Sequence, residues 1–288
     1  MSAVYKRELR AYLNNVYGWL FAAILILFVS FVMCIDNLYN GLPKFEYALS
    51  DSQYALLVLI PILCMRSMAE DKRNKTDMFY LSLPMQTSSA VLGKYFALLT
   101  VFAAPCALFA VYPLLLGTFG EVNYLSAYVG LLLFFLLGAG MIAVCQLMSS
   151  LTENLVVSAV LGVLASALLF FLPLLSYLIP ATPMASFIGL VVLALAAAAV
   201  AFAVTRNLNV TAITGAALIL PLCVLFIFLK DSFGGLLSGV LEYISPYLQF
   251  ATFCEYGTLR LSSLILLLSY PVFFVFLTVQ SADKKRWD

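Results

Sequence analysis

Histidine is absent from this chain of 288 residues, and charged residues make up only 10% of it. Without an imidazole, the chain cannot form a histidine-ligated zinc or haem site, a Ser-His-Asp triad or an imidazole proton shuttle. Soluble globular domains carry about 25% charged residues, so the low value excludes that class. The net charge of +1 gives no basic excess that would favour nucleic-acid binding.

Several functional motifs are missing as well. The sequence has no GxxxxGK[ST] P-loop, so it does not bind ATP in that way. None of the six cysteines forms a CxxC pair, and most lie in apolar runs, where we expect them to be buried hydrophobic side chains. No ionisable residue lies near the middle of an apolar run. That argues against a proton-driven carrier, while sodium coupling through backbone carbonyls stays open.

What the sequence has in abundance is apolar residues, at 64% with a mean hydropathy of +1.07. A membrane-spanning helix needs about 20 mostly apolar residues. Eight runs approach that requirement, and the chain is therefore predicted to be an all-α, polytopic membrane protein. The runs cover residues 18–35, 53–69, 95–118, 125–148, 155–179, 184–205, 210–229 and 264–280.

The positions of the basic residues predict the orientation. With the N-terminus in the cytoplasm, twelve of the fifteen Lys and Arg residues fall on the inner side, as the positive-inside rule requires. Both termini are then cytoplasmic. Only residues 206–209 join the sixth and seventh runs, which are either two full spans or a hairpin that does not cross fully. The predicted fold is one transmembrane domain over residues 1–288, with a six-span core and an extra hairpin.

The first polar region, residues 1–17, is predicted to be an amphipathic helix on the inner membrane surface. Its apolar residues recur every three or four positions, and its basic residues lie on the other side. The alternative is a plain positively charged flank. The apolar residues are Tyr5, Leu9, Tyr12, Leu13 and Val16, and the polar ones are Lys6, Arg7, Arg10 and Asn14.

The second polar region is the cytoplasmic loop 70–94. Thr76 is expected to cap a short helix that Pro84 ends. This helix presents Met78, Phe79 and Leu83 within a charged loop, which indicates a docking surface for another protein. The alternative is a loop helix that packs on its own bundle.

Two further patterns concern local structure. Residues 230–263 on the outer side have an apolar middle, 236–244, that is too short and too interrupted to span, so a re-entrant or interfacial helix is predicted. Ser150 and Glu153 fit a capping box, which predicts Ser150 as the N-cap of the fifth span.

Four segments together resemble the type-2 ABC transporter permeases, and within them the gliding-motility-type bacterial subfamily. Residues 5–12 are similar to the family's basic-Glu-Leu opening, and residues 149–154 match closely. The last 49 residues match loosely, through Ser245-Pro246, Phe250, Phe253, Gly257 and the basic end at residues 284–286. Lys75 stands where the family usually has Gly. In the loop the matching residues are Glu70, Arg73, Thr76, Leu81, Leu83, Pro84, Gly93 and Lys94.

The resemblance implies a non-catalytic permease subunit of an ATP-binding-cassette exporter in a bacterial cytoplasmic membrane. Two permease protomers, identical or homologous, form the pathway, and separate P-loop ATPase subunits carry the ATP and Mg²⁺. The coupling helix is implied at residues 70–84, and the outer segment 230–263 closes the pathway. The implied coupling residues are Glu70, Arg73, Thr76, Met78, Phe79, Leu83 and Pro84, and those of the interfacial helix are Lys6, Arg7, Glu8 and Tyr12.

Two other function classes compete with this interpretation. One is a secondary carrier or channel that works without an ATPase, and the other is a non-transporting scaffold or enzyme. The 23 Phe and 16 Tyr residues suit a pathway for lipid-like, peptide or amphiphilic cargo, or they only face lipid and pack between helices.

Overall fold

The computed structural model describes residues 1–76, 87–180, 182–205 and 233–284, and eight positions between 215 and 226. Its described residues form helices and contain no strand. The helices are α1 Ser2–Asn14, α2 Val16–Met33 with a π-helical extension Cys34–Tyr39, α3 Phe45–Cys64, α4 Ala69–Arg73, α5 Thr87–Phe109, α6 Tyr112–Leu116, α7 Tyr124–Leu151, α8 Leu155–Leu178, α9 Pro183–Thr205, α10 Leu236–Ile244, α11 Pro246–Tyr256 and α12 Leu261–Lys284.

Six of the helical segments are long and apolar enough to cross a membrane, which makes the chain a multi-pass membrane protein by length and composition. They correspond to six of the eight runs predicted from sequence. The sixth run coincides with α9, and the seventh run, 210–229, falls mostly outside the described residues. The extra hairpin therefore stays a prediction. The six segments are Val16–Tyr39, Phe45–Arg73, Thr87–Leu116, Tyr124–Leu151, Leu155–Leu178 and Leu261–Asp283.

The chain divides into two compact units, and α8 runs from the first into the second. The first unit contains residues 1–169 and 249–288, with α7 at its centre. Two thirds of the apolar window of α7 is buried, more than in any other candidate span. Helices α3, α5 and α12 pack around it. The single transmembrane domain expected from sequence is not tested by this division and stays a prediction.

Small residues on α7 allow this close packing, as the sequence Gly138-Ala139-Gly140 predicts. A Cβ atom at Gly138 would lie 2.3 Å from the Phe102 ring of α5. At Gly140, a Cβ atom would lie 3.1 Å from Cβ of Tyr270 on α12. These glycines therefore set how closely α5 and α12 approach the central helix.

The second unit covers residues 170–248. Within it, the Ser176 hydroxyl donates to Glu242 Oε1 at 2.8 Å, and the Phe170 and Tyr247 rings meet edge to face. Gly189 of α9 lies against Leu237 of α10, so close that a Cβ atom there would reach 2.1 Å from a leucine methyl group. Helices α10 and α11 fall in the segment predicted to be re-entrant, and that membrane placement stays a prediction.

The prediction that Ser150 is the N-cap of α8 is wrong. Ser150 lies in the last turn of α7, where its hydroxyl donates to the Leu147 carbonyl at 2.7 Å. The N-terminus of α8 is capped instead by Asn154, whose Oδ1 accepts from the backbone N–H of Val156 at 2.9 Å. Asn is as good a capping residue as Ser, and Asn154 stands directly before the helix, so it is the N-cap.

Candidate functional site

The N-terminal helix α1 packs against the first turns of α5. Val4 and Tyr12 are its buried residues, and Glu8 lies between them on the same face. Gly93 makes the approach possible, because a Cβ atom there would lie 3.1 Å from Cβ of Val4. The helix ends at Asn14 rather than at residue 17, since Asn15 is extended and α2 begins at Val16.

A buried lysine on α5 organises this end of the first unit. Lys94 is 4% exposed, and its ammonium lies 2.6 Å from Asp71 Oδ2 and 3.4 Å from Glu8 Oε1. It also donates to the Ser67 carbonyl. Arg7 contacts Glu8 and lies 3.9 Å from Asp71 Oδ2. We call Lys94, Asp71, Glu8 and Arg7 the Lys94 cluster.

The geometry of the Lys94 cluster explains why an ammonium group can be buried there. An isolated buried charge is very costly, and it persists only when it is paired and hydrogen-bonded. The cluster holds two cations and two anions, and the half-exposed Arg7 closes its outer edge. Each partner of Lys94 lies on a different element, so the cluster ties α1, the turn after α3, α4 and α5 together.

The segment 69–76, which we call the loop root, has a defined backbone of its own. The short helix α4 ends in a Schellman motif: the Thr76 N–H donates to the Asp71 carbonyl at 2.9 Å, and the Lys75 N–H donates to the Lys72 carbonyl. Lys75 occupies the left-handed region with φ of 55°. The Thr76 hydroxyl donates back to Asp71 Oδ1 at 2.9 Å. The loop root therefore presents the Asp71 carboxylate toward Lys94.

The loop root is also fixed to the central helix α7. The Ser149 hydroxyl accepts from the backbone N–H groups of Met68 and Ala69, each at 3.1 Å, and donates to the Met65 carbonyl. Met68 ends the turn that separates α3 from α4, and Ala69 is the first residue of α4. Lys72 adds a hydrogen bond to the Ser150 carbonyl. These hydrogen bonds connect α4 and the turn before it directly to α7.

Tyr12 connects α1 to the end of α3. Its hydroxyl donates to the Leu63 carbonyl at 3.4 Å. Burial raises the pKa of Tyr12 well above its usual value, and the nearby Cys64, Glu8 and Glu70 add to the effect. Beside it, the Arg66 guanidinium lies 3.7 Å from the centre of the Tyr17 ring, a cation–π distance.

The predicted site residues divide into three groups in the structure. Glu8 and Tyr12 face the bundle, and Glu70 and Thr76 are partly buried at the loop root. Lys6, Arg7 and Arg73 are exposed. The remaining residues, and the short helix expected to carry them, lie outside the described residues. They are Met78, Phe79, Leu83 and Pro84.

Sequence reasoning gave no role to Lys94, Asp71 or Ser149, which connect the loop root to the bundle. In the sequence, Lys94 is notable only for its match, with Gly93, to the permease loop. A usable signal was its position directly after Gly93, because a glycine at a helix start leaves room for another helix beside the lysine. Glu8 gave a second signal, since it lies four residues from both Val4 and Tyr12.

At this end, therefore, α1, the loop root, the start of α5 and the ends of α3 and α7 form one polar assembly. Of the charged residues that the structure describes, no group of three or more Asp, Glu or Cys side chains is arranged to hold a metal ion. Compared with known proteins, the chain matches no family model and no curated protein.

Proposed function

We propose that this chain is the membrane-spanning permease subunit of an ATP-binding-cassette exporter. Two such protomers form the substrate pathway, and separate P-loop ATPase subunits, which hold the ATP and Mg²⁺, dock on segment 70–84. The proposal combines the multi-pass architecture with the resemblance of residues 1–160 and 240–288 to type-2 permeases. The chain itself performs no catalysis in this scheme.

The observation that carries the proposal is the anchoring of the loop root. A docking loop transmits force only if it is fixed to the helices that it must move. The Lys94 cluster and Ser149 supply that connection, because they join Asp71, Met68 and Ala69 to α1, α5 and α7. A loop that served only to connect two spans has no need of a buried ion pair at its root.

The backbone at Lys75 offers separate support. The permeases that the chain resembles usually carry Gly at this position. Lys75 adopts a left-handed conformation, which favours Gly over every residue with a Cβ atom. The same turn therefore suits both residues, and the departure from the family pattern is one of side chain rather than of backbone.

The first test is to purify the tagged chain in mild detergent from its native host and to identify what accompanies it. A P-loop ATPase near 1:1 stoichiometry is the expected result, and a second membrane protein in the complex distinguishes a heterodimer from a homodimer. A folded chain that purifies alone and conducts or transports unaided contradicts the proposal. That outcome favours the secondary carrier or channel.

A second test addresses the docking assignment. In the assembled complex, Phe79→Asp with Leu83→Asp is expected to uncouple transport from ATP hydrolysis, because each change places a charge in an apolar groove at a cost of several kcal/mol. Phe119→Asp is the matched control, since Phe119 is 78% exposed in the turn before α7. Normal coupling in the double variant, with normal assembly, contradicts docking on this segment.

A further inference from the structure

A cavity of about 500 Å³ lies at the opposite end of the first unit from the Lys94 cluster. It is bounded by the start of α3, the start of α7, the end of α11 and the connection to α12, and it opens on one side. Its walls combine polar and apolar groups, including Glu46, Ser126 and Phe253. The volume falls within the range of ordinary small-molecule sites.

Glu46 is the unusual residue in this cavity. It is only 4% exposed, yet its carboxylate forms no hydrogen bond or ion pair within the part of the chain that the structure describes. Because it lies in the first turn of α3, its carboxylate interacts favourably with the helix dipole. That contribution is about 0.3–1 kcal/mol, which is smaller than the several kcal/mol that a buried ion costs. Glu46 therefore lacks a structural reason for its burial.

The neighbouring lysine does not neutralise Glu46. Lys44 also lines the cavity, but its ammonium lies 3.4 Å from the Tyr47 hydroxyl and 5.3 Å from the centre of that ring. Lys44 is exposed, so it sits at the edge of the cavity. Among the described residues, Glu46 therefore has no ion-pair partner in the deeper wall.

An aromatic ring stands beside this carboxylate. Gly130 of α7 faces both groups, because a Cβ atom there would lie 3.3 Å from Glu46 Cγ and 3.5 Å from Phe253 Cε1. The absence of a side chain at position 130 thus keeps open the space between them. Tyr256 lines the same cavity and is 67% exposed, so it forms part of the entrance.

Cys254, on the same wall, responds to this charge. Burial raises the pKa of the Cys254 thiol, and the negative charges of Glu46 and Asp51 raise it further.

We propose that this cavity binds an organic ammonium ligand, with the cation paired to Glu46 and the apolar part of the ligand against Phe253 and Tyr256. A carboxylate beside aromatic rings binds such cations by ion pairing and by cation–π attraction. A bare metal ion fits less well, because Ca²⁺ needs six to eight oxygen ligands and Mg²⁺ needs six. The site does not depend on an ATPase partner.

The test uses benzyltrimethylammonium, whose charge does not depend on pH, and the full chain in dodecyl maltoside. Calorimetric titration is expected to show saturable binding by the wild type and at least tenfold weaker binding by Glu46→Gln. Benzyl alcohol, the neutral comparison ligand, is expected to bind weakly to both. Glu121→Gln is the matched control, because Glu121 is an exposed carboxylate outside the cavity wall, and it is expected to bind as the wild type does.

A second variant keeps the test valid if Glu46→Gln fails to fold. Tyr256→Ala alters an exposed residue and is expected to weaken binding several-fold through the lost cation–π contact. Unchanged affinity in Glu46→Gln, an equal loss in Glu121→Gln, or no saturable binding by the folded wild type overturns the proposal. A chain that binds the probe but purifies without an ATPase contradicts the permease assignment alone.

Lipid nanodiscs then identify the source of the ammonium group. Choline headgroups compete for the site if its natural occupant is a lipid, so the probe is expected to bind more weakly in phosphatidylcholine than in phosphatidylglycerol. Equal Glu46-dependent binding in both lipids assigns the site to a soluble amine. Either result supports the ammonium site, and a loss of Glu46 dependence in both lipids contradicts it.

Discussion

A buried ionisable group lies near each end of helix α3, and the two groups differ in whether they have partners. Beyond its C-terminus, the Lys94 ammonium has two carboxylates and a carbonyl around it. At its N-terminus, the Glu46 carboxylate faces an open cavity and has no partner among the described residues. The 20 residues of the helix separate these environments by about 30 Å.

The presence or absence of partners distinguishes a charge that stabilises the fold from one that is available to bind a ligand. A buried ion with a complete set of partners fixes the elements that supply them, and removing any partner is costly. A buried carboxylate without ion-pair partners gains only the small helix-dipole contribution in the free protein, and a bound cation would supply the partner that it lacks. Each charge predicts an opposite response to neutralisation, and the variants below use that contrast.

The largest expected effect is at Lys94. Lys94→Met leaves Asp71 and Glu8 facing each other without the intervening cation, and we expect a loss of about 3–5 kcal/mol in the free energy of unfolding. The measurement is thermal unfolding of the purified chain in detergent. Lys6→Met is the matched control, because Lys6 lies exposed on α1 and its replacement is expected to change stability by less than about 0.5 kcal/mol. Equal midpoints for the two variants would contradict the anchoring role of the cluster.

Glu46→Gln is the opposite case. Because the carboxylate has no partner to lose, its neutralisation is expected to raise the free energy of unfolding, by an amount on the order of 1 kcal/mol. The same thermal measurement without added ligand checks the sign. Glu121→Gln again serves as the control, with no expected change. A clear loss of stability in Glu46→Gln would show that the residue supports the fold, and the contrast with Lys94 would disappear.

Six of the eight predicted spans were accessible to sequence reasoning because length and apolar content alone define them. The small residues of α7 were equally clear, since Gly138 and Gly140 interrupt a run of large side chains. Such features are local in the sequence. They require no knowledge of which helix packs against which.

The charged groups could not be placed in this way. Lys94 and Asp71 are 23 positions apart, and Glu8 is 86 positions from Lys94, so only the packed bundle brings them together. Glu46 is equally uninformative in sequence, because its burial depends on residues of α7 and α11. Local rules also failed at Ser150, where the nearer capping residue Asn154 took the N-cap position.

A smaller change in stability is expected from Lys75 in the loop root, near the Lys94 cluster. Lys75→Gly is expected to stabilise the chain by about 1 kcal/mol, because the left-handed backbone at φ of 55° penalises a residue with a Cβ atom. Lys75→Val is the informative comparison, since a β-branched residue is poorly tolerated there and is expected to destabilise. If both variants unfold at the temperature of the wild type, the turn is not the one described. Such a result would weaken the link between this position and Asp71.

The smallest effect concerns Tyr12, and it appears in the pH dependence. Burial raises the pKa of Tyr12 in the folded state, so its neutral form contributes stability that is complete below pH of about 10 and is lost as the pH rises further. Tyr12→Phe removes that dependence and loses the hydrogen bond to Leu63, at a cost of about 0.5–1 kcal/mol near neutral pH. The unfolding midpoints of the two proteins, measured from pH 8 to pH 11, are therefore expected to converge as the pH rises. Tyr39→Phe is the matched control, because Tyr39 is 87% exposed and the removal of its hydroxyl is expected to change stability little. A constant difference between wild type and Tyr12→Phe over this range would mean that the hydroxyl reaches water and that Tyr12 does not help to hold α1 to the bundle.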